Sequence, residues 1–145
     1  MTTDNARPTP PVTSPSIIVL TLARKVETEL VAGLAPLDLT IARLGLLGHI
    51  SGLPGVSFSE LARMSGTSVQ SVHNAVKALV TAGLVRDRTA RAGSASTIEL
   101  TAKGQRLLGQ ARKVVSDVDT RLFGAESDPI LRKVGAAILA AFAAP

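Results

Sequence analysis

The chain has 145 residues, a formal net charge of +5 and a composition that is 46% hydrophobic but only 2% aromatic. This hydrophobic content argues against global disorder, and the length suits one domain or a compact head with helical extensions. With no Trp or Tyr, the chain lacks the aromatic platforms on which single-stranded nucleic acids usually stack. The absence of cysteine excludes disulfides, zinc–cysteine sites and thiol redox sensing.

The positive charge is concentrated in one part of the chain. Residues 55–106 contain seven basic and three acidic side chains, so this segment carries +4 of the net +5. Such a distribution suits a phosphate-binding head on a neutral support, and a merely basic solvated surface is the alternative. No basic region followed by an apolar run opens the chain, and the apolar stretch of residues 134–144 is too short to span a bilayer. We therefore expect a soluble, cytoplasmic protein that does not associate with membranes.

The N-terminal segment combines a proline-rich arm with a helix. Residues 1–15 hold four prolines among Thr and Ser, which indicates a flexible arm. A helix is expected to begin near Ser14 or Ser16, because Pro15 is acceptable in a first turn. Apolar residues then recur every three or four positions until the sequence GLAP at 33–36, which should end the helix.

A second helix is predicted to begin at Thr40, which is a good N-cap residue. Gly45 and Gly48 lie inside this helix, and each costs about 1 kcal/mol relative to alanine. Their presence predicts that another backbone packs closely against the helix at these positions. The sequence SGLPG at 51–55 then forms a turn.

Two capping motifs mark the next pair of helices. Ser57 and Glu60 fit a capping box, in which each side chain binds the other residue's free N–H, and Thr67 and Gln70 repeat the pattern. The two caps predict a short helix and then a longer one, near residues 58–64 and 68–82.

Three small or apolar residues within these helices have the spacing of a DNA-binding helix-turn-helix. Ala62 would let the second helix cross the first closely, Gly66 would make the turn, and Val72 would fix the second helix to the core. At about 100° per residue, Val69, Val76, Leu79 and Val80 lie on the same side of that helix as Val72. The other side carries polar residues, which are Thr67, Gln70, Ser71, Asn74 and Lys77, with His73 on the flank.

These polar residues match the groups that read DNA. Asn and Gln pair with adenine through two hydrogen bonds, Lys reaches guanine or a phosphate, and Ser or Thr suits backbone phosphates. The alternatives are a capping role for Gln70, a flank position without function for His73, and ordinary solvated side chains for Asn74 and Lys77.

After Gly83, which is placed to end the second helix, the hydrophobic period changes to that of short strands. LVRDR and STIEL read as two strands joined by the small tip TARAGSA. A hairpin behind a recognition helix forms a wing, and Arg86, Arg88 and Arg91 supply guanidiniums for a narrow, negative minor groove. Asp87 either orients a neighbouring arginine or is a plain surface charge.

Two further helices complete the chain. Thr101 is placed to cap a long helix that begins AKGQRLL. Ser127 or Asp128, followed by Pro129, opens a last helix that is rich in Ala, Ile and Leu. The predicted fold class is therefore mainly α with a small β-wing (α+β).

The order of these elements, together with three of their sequences, resembles the MarR family of bacterial transcriptional regulators. The matching sequences are LTIARLGLL at 39–47, SFSELARMSGTSVQSVHNAVKALVTAGLV at 57–85 and ELTAKGQRLL at 99–108. The resemblance covers residues 16–143. It implies three regions, which are a flexible arm at 1–15, a helical dimerisation region at 16–36 and 101–145, and a winged helix-turn-helix head at 37–100.

The resemblance also implies a homodimer on double-stranded DNA that acts as a repressor and is released by a small molecule. In such proteins the effector, often aromatic or anionic, lies between the dimer helices and the winged head. Arg43 and His49 on the second helix are candidates to line that pocket, with purely structural roles as the alternative. No cofactor is expected. The candidate DNA-binding residues are Thr67, Ser68, Gln70, Ser71, His73, Asn74, Lys77, Arg86, Arg88 and Arg91.

The wing departs from the family pattern at one point. The family's Asp-x-Arg element, whose arginine enters the minor groove, falls here on Ala92, Gly93 and Ser94, and the nearest arginine is Arg91. Minor-groove contact is therefore expected to be weaker, differently placed or lost. This departure supports the alternative function, a winged-helix interaction protein with weak or lost DNA binding, with a nonspecific architectural DNA binder between the two.

An enzyme has the least support from the sequence. The chain has two histidines and no cysteine, and it contains no Gly-x-Ser-x-Gly, phosphate-loop or His-Glu-x-x-His pattern. A zinc site is also poorly supported, because His49 and His73 fall in separate predicted elements.

Overall fold

The computed structural model describes residues 14–88 and 97–143. This part of the chain forms α-helices and one two-stranded antiparallel sheet, which confirms the predicted class of mainly α with a small β-wing. In chain order the elements are α1 Pro15–Leu34, a 3-10 turn Ala35–Leu37, α2 Ile41–Gly52, α3 Phe58–Ser65, α4 Val69–Thr81, β1 Val85–Asp87, β2 Ile98–Leu100, α5 Ala102–Phe123 and α6 Pro129–Phe142.

The first helix begins where the serine and proline pattern predicts. Ser14 occupies the N-cap position with extended backbone, and Pro15 is the first helical residue, where its missing N–H costs nothing. The helix thus includes the last residue of the arm predicted at 1–15, and residues 1–13 lie outside the described part of the chain. After the 3-10 turn, Asp38 adopts a left-handed conformation with φ of 52° and redirects the chain towards α2.

The second helix has the predicted cap but not the predicted close packing. Thr40 Oγ1 accepts a hydrogen bond from the backbone N–H of Arg43 at 3.2 Å. Among the residues that the structure describes, no atom of a neighbouring element lies within 4 Å of a Cβ built on Gly45 or Gly48, so the expectation of a close backbone there is wrong. The sequence shows that a glycine is present but not what it faces.

The winged head has one contiguous apolar core. Leu47 and Ile50 of α2, Leu61 of α3, Leu79 of α4 and Ile98 of β2 are each no more than 1% exposed. Burial stabilises each side chain of this size by about 1.5–3 kcal/mol. The same cluster includes buried leucines of α1 and α5. The core therefore holds α2, α3, α4 and the hairpin together and joins them to both of those helices.

The buried stripe of α4 is narrower than its sequence suggests. Val72, Val76 and Leu79 are no more than 2% exposed, whereas Val69 and Val80 are 41% and 40% exposed. The assignment of Val69 and Val80 to the core side is wrong, because at about 100° per residue both lie at the edge of the stripe, where their side chains remain exposed.

The predicted hairpin is present, with strands of three residues each. Its register places Val85 opposite Leu100, Arg86 opposite Glu99 and Asp87 opposite Ile98. Beyond the strands, Arg88 N–H donates to Thr97 O at 2.9 Å. The tip predicted at 89–95 lies outside the described residues.

The C-terminal helix α5 packs against α1, α2 and β2, and α6 packs against α5. α5 crosses α1 closely at Gly33, where a Cβ would lie 2.6 Å from Val114 Cγ1, and Arg121 forms a 2.9 Å ion pair with Glu29. The capping residue of α6 is Asp128, whose side chain accepts from the N–H of Ile130 at 2.7 Å. No single described helix is long and apolar enough to cross a membrane, although α1 with its 3-10 turn and α2 meet the criterion together as a pair bent by 76°.

Candidate DNA-binding surface

The turn between α3 and α4 has the predicted chemistry. Ser57 and Glu60 form the complete capping box at the start of α3. Gly66 ends the helix with φ of 63°, a left-handed conformation that glycine adopts without steric cost. Ala62 and Val72, 5% and 1% exposed, lie on the two helices at this turn. The three positions of the helix-turn-helix spacing are therefore confirmed in their structural roles.

The cap of α4 is Ser68, so the assignment of Thr67 and Gln70 as a second capping box is wrong. Ser68 Oγ accepts from the N–H of Ser71 at 3.1 Å and lies 2.9 Å from Ser71 Oγ. Thr67 instead uses its backbone N–H to bond Ala62 O at 3.0 Å, which closes the C-terminus of α3. The turn between α3 and α4 is therefore one residue longer than the spacing of Thr67 and Gln70 indicated.

Gln70 has no capping role, and it lies on the exposed polar side of α4. Gln70 Nε2 donates to Asn74 Oδ1 at 3.3 Å, so the two amides form a pair one helical turn apart. Gln70, Asn74 and Lys77 are all exposed and border one surface depression of about 540 Å³. The structure therefore brings the two amides and the ammonium group together.

His73 lies at the edge of this depression, stacked on Phe58 of α3. The two ring centroids are 3.9 Å apart and the ring planes are inclined by 18°. The stacking fixes the imidazole against the first turn of α3, which agrees with a flank position. Thr67, Ser68 and Ser71 are exposed at the N-terminal end of α4, where free N–H groups and the helix dipole favour a phosphate.

On the wing, one carboxylate contacts two of the predicted arginines. Glu99 Oε1 lies 3.3 Å from Arg86 NH1 and 3.4 Å from Arg88 Nε. The arginine side chains remain 48% and 63% exposed, so each keeps N–H groups for an external acceptor. Asp87 borders the depression beside α4. Arg91, together with Ala92, Gly93 and Ser94, lies outside the described residues.

Sequence reasoning missed the roles of Glu99 and Phe58. Glu99 lies opposite Arg86 across the hairpin, but its position follows from the strand register, which the loop sequence did not define. Phe58 was visible as the first residue of α3, and its stacking on His73 depends on the crossing of α3 and α4. Neither contact joins residues that are close in sequence, so local patterns carried no signal for them.

A second cavity lies between the end of α4 and the start of α5. Its volume is about 340 Å³. The cationic residues that line it are Arg43, Lys103 and Arg106, with Asp38 as the acidic residue. Leucines supply most of the remaining wall, at positions 37, 39, 84 and 107. Arg43 lines this cavity and His49 does not. An effector-binding role for either residue stays a prediction.

The described residues offer no metal site. No group of three His, Asp or Glu side chains in 14–88 and 97–143 is arranged to hold a metal ion.

The MarR family's sequence profile matches residues 37–93 of the chain. The chain is 33% identical over 106 residues to the HTH-type transcriptional repressor Rv2887 of Mycobacterium tuberculosis. This match covers 72% of this chain and 76% of the relative. The repressor Mb2911 of Mycobacterium bovis matches with the same identity and coverage.

Solved structures show the same relationship. The crystal structure of the M. tuberculosis MarR family protein Rv2887 in complex with DNA superposes with a TM-score of 0.74 at 25% identity, and the match covers 90% of this chain and 99% of that one. The complex of Rv2887 with p-aminosalicylic acid gives a TM-score of 0.70 at 27% identity and the same coverage. The chain therefore belongs to the MarR family, whose members are transcriptional regulators and not enzymes.

Proposed function

We propose that this MarR-family regulator binds double-stranded DNA as a homodimer and that each protomer inserts α4 into a major groove. The observation that carries the proposal is the polar side of α4, on which Gln70, Asn74 and Lys77 lie together above a fully buried stripe. An amide pair and an ammonium group on one exposed helix face suit base edges and phosphates. A regulator of this kind meets its DNA in the cytoplasm.

Two groups of residues supply the supporting contacts. The hydroxyls of Thr67, Ser68 and Ser71 at the start of α4 bind backbone phosphates, and His73 contacts the flanking backbone. Arg86 and Arg88 approach the backbone beside the groove, held by Glu99. We include Arg91 on sequence grounds as a further contact from the wing.

The dimer is supported by apolar surface that a single chain leaves uncovered. No described residue of α6 is buried, and nine large apolar side chains of α1 and α6 are 47–87% exposed. Removal of such surface from water stabilises association by about 25 cal/mol per Å². The residues concerned are Ile17, Ile18, Val19, Leu20, Val31, Ile130, Ile138, Leu139 and Phe142. We therefore assign dimerisation to residues 16–36 and 101–145 and DNA binding to the head at 37–100.

A repressor released by a small aromatic carboxylate is the form of regulation that the structure supports best. The cavity beside the end of α4 combines three cationic side chains with leucine walls, which suits a small molecule with one anionic group and one apolar ring. Rv2887, a repressor, has been crystallised with salicylic acid and with p-aminosalicylic acid. Arg43, Lys103 and Arg106 would bind the carboxylate, and no cofactor is required.

The test is selection of bound duplexes from a random library at near-physiological salt, with the dimer confirmed by light scattering. We expect a two-fold symmetric site with half-sites about one helical turn apart. Recovery of no preferred sequence would contradict the proposal. On the selected duplex, Asn74→Ala should cost about 1–3 kcal/mol and relax preference at one base position.

The matched variants separate base contacts from phosphate contacts. Lys77→Ala should weaken binding to all duplexes and reduce the salt slope by about one. Lys113→Ala removes the same charge from an exposed position on α5 and should leave the salt slope nearly unchanged, because this position lies outside the proposed DNA-binding head at 37–100. An equal effect of Asn74→Ala on every duplex would rule out base reading by that residue.

A further inference from the structure

The end of the recognition helix α4 is fastened directly to the start of α5. Thr101 N–H donates to Leu84 O at 3.1 Å, and Thr101 Oγ1 donates to Gly83 O at 2.6 Å. Gly104 lies so close to the carbonyl group of Leu84 that a Cβ would overlap its oxygen. These contacts are short and involve backbone, so they hold the two helix ends in fixed relation.

Lys103 makes a contact of a different kind at the same junction. Its Nζ donates to Ala82 O at 3.0 Å, and Ala82 is the C-cap residue of α4. The last carbonyl groups of a helix have no partner within the helix and carry the negative end of its dipole. The ammonium group of Lys103 therefore stabilises the last turn of the recognition helix through a long, exposed and flexible side chain.

The same ammonium group borders the cationic cavity. Lys103 lines the cavity together with Arg43 and Arg106, and Ala82 and Leu84 form part of the same wall. Asp38 is the acidic residue of the lining. An anion that enters this space meets the ammonium group which at that time bonds the end of α4. One group thus has two competing acceptors, the carbonyl oxygen of Ala82 and the bound anion.

We propose that Lys103 couples occupancy of this cavity to the recognition helix. The bond from Lys103 to Ala82 is charge-assisted on the donor side alone, whereas a bound carboxylate also supplies a negatively charged acceptor and is therefore the stronger partner. The ammonium group then leaves Ala82, the last turn of α4 loosens, and the affinity for DNA falls. This inference rests on the proposed release by a small aromatic carboxylate and identifies the residue that transmits it. By linkage, DNA weakens carboxylate binding by the same factor.

The experiment compares Lys103→Met with Arg106→Met. Both substitutions remove one positive charge from the cavity and keep an unbranched side chain, but only the first removes the bond to Ala82. The Kd for the selected duplex is measured by fluorescence anisotropy without salicylate and at saturating salicylate. Saturation is established for each variant by ligand-observed NMR. Hydrogen exchange at the amides of residues 82–84 reports the last turn of α4 independently of DNA.

We expect salicylate to raise the Kd of the wild-type protein by about 5–150-fold, the usual range of allosteric coupling. In Lys103→Met the Kd without salicylate should already be raised and should respond little to the ligand. Without salicylate, the amides at residues 82–84 should exchange faster in Lys103→Met than in the wild-type protein. Saturating salicylate should produce the same faster exchange in the wild-type protein. Arg106→Met should need more salicylate for saturation but retain the full change in Kd and the wild-type exchange rates.

Three results would overturn the inference. A wild-type response to salicylate in Lys103→Met would remove Lys103 from the pathway and leave the proposed function intact. Equal effects of the two substitutions on exchange and on the Kd ratio would show that cavity charge alone matters. A wild-type Kd that saturating salicylate does not change would overturn both this inference and the proposed carboxylate release, whereas the selected duplex would still establish DNA binding.

Discussion

Substitution of glycine by alanine should have opposite effects on the free energy of unfolding at two positions of α5, Gly104 and Gly109. A Cβ on Gly104 would overlap the oxygen of Leu84 and lie 3.0 Å from its carbonyl carbon. The obstacle is backbone, so α5 must move away from the end of α4. Such a movement lengthens both hydrogen bonds that Thr101 makes across the junction.

The expected magnitude follows from these contacts. Overpacking of this kind costs about 1–3 kcal/mol, and each weakened hydrogen bond costs about 1 kcal/mol. Alanine has a better helix propensity than glycine by about 1 kcal/mol, which offsets part of the loss. Gly104→Ala should therefore lower the free energy of unfolding by about 3 kcal/mol.

Gly109→Ala on the same helix is the matched control. Within residues 14–88 and 97–143, no atom of another element lies within 4 Å of a Cβ built at this exposed position. The substitution should therefore raise the free energy of unfolding by about 1 kcal/mol through helix propensity alone. Urea unfolding followed by far-UV circular dichroism gives both values, at one protein concentration because a dimer's stability depends on it. A Gly104→Ala protein as stable as the wild type would refute the close contact at Leu84.

Three further predictions concern the DNA-binding surface. Ser68→Ala should lower the free energy of unfolding by about 1 kcal/mol, whereas Thr67→Ala, which removes no cap, should change it by less than about 0.5 kcal/mol. A larger loss for Thr67→Ala than for Ser68→Ala in urea unfolding would show that Thr67 is the cap. Glu99→Gln adds one net positive charge beside Arg86 and Arg88. Binding to all duplexes should therefore tighten, and the slope of log K against log salt should steepen by about one. An unchanged slope in salt titrations would count against contact between these arginines and DNA. A double-mutant cycle of Gln70→Ala and Asn74→Ala should show a coupling of about 0.5–3 kcal/mol in the free energy of binding to the selected duplex, because the two amides are hydrogen-bonded. Strictly additive losses of binding free energy would mean that the two residues act independently.

Features that depend on neighbouring residues in the chain were predictable from the sequence. The capping box at Ser57, the N-caps at Thr40 and Thr101, and the left-handed turn at Gly66 all appear as expected. The reason is that a cap joins groups two or three residues apart, so the sequence contains both partners at a fixed spacing. The misplaced cap of α4 shows the limit of this reasoning, because Thr67 and Ser68 both fit and only the geometry of the turn selects Ser68.

Features that depend on tertiary packing were not predictable. Gly45 and Gly48 suggested a close approach that is absent, while Gly33 and Gly104 make such approaches. All four are glycines inside helices, and their sequences do not show which side faces another element. The ion pairs of Glu99 with two arginines likewise follow from the register of the hairpin, which is defined only once the strands have paired.

The junction of α4 and α5 gives a physical reason for the ELTAKG segment, which is part of one of the three sequences that resemble the MarR family. Leu100 pairs with Val85 across the hairpin, Thr101 both caps α5 and binds Gly83, and Gly104 allows the carbonyl group of Leu84 to approach. These contacts join α4, the proposed recognition helix, to α5 in the proposed dimer region. In the proposed dimer, a change in the relation between the two α5 helices would therefore move both α4 helices, and the spacing of the α4 helices determines whether they reach successive major grooves.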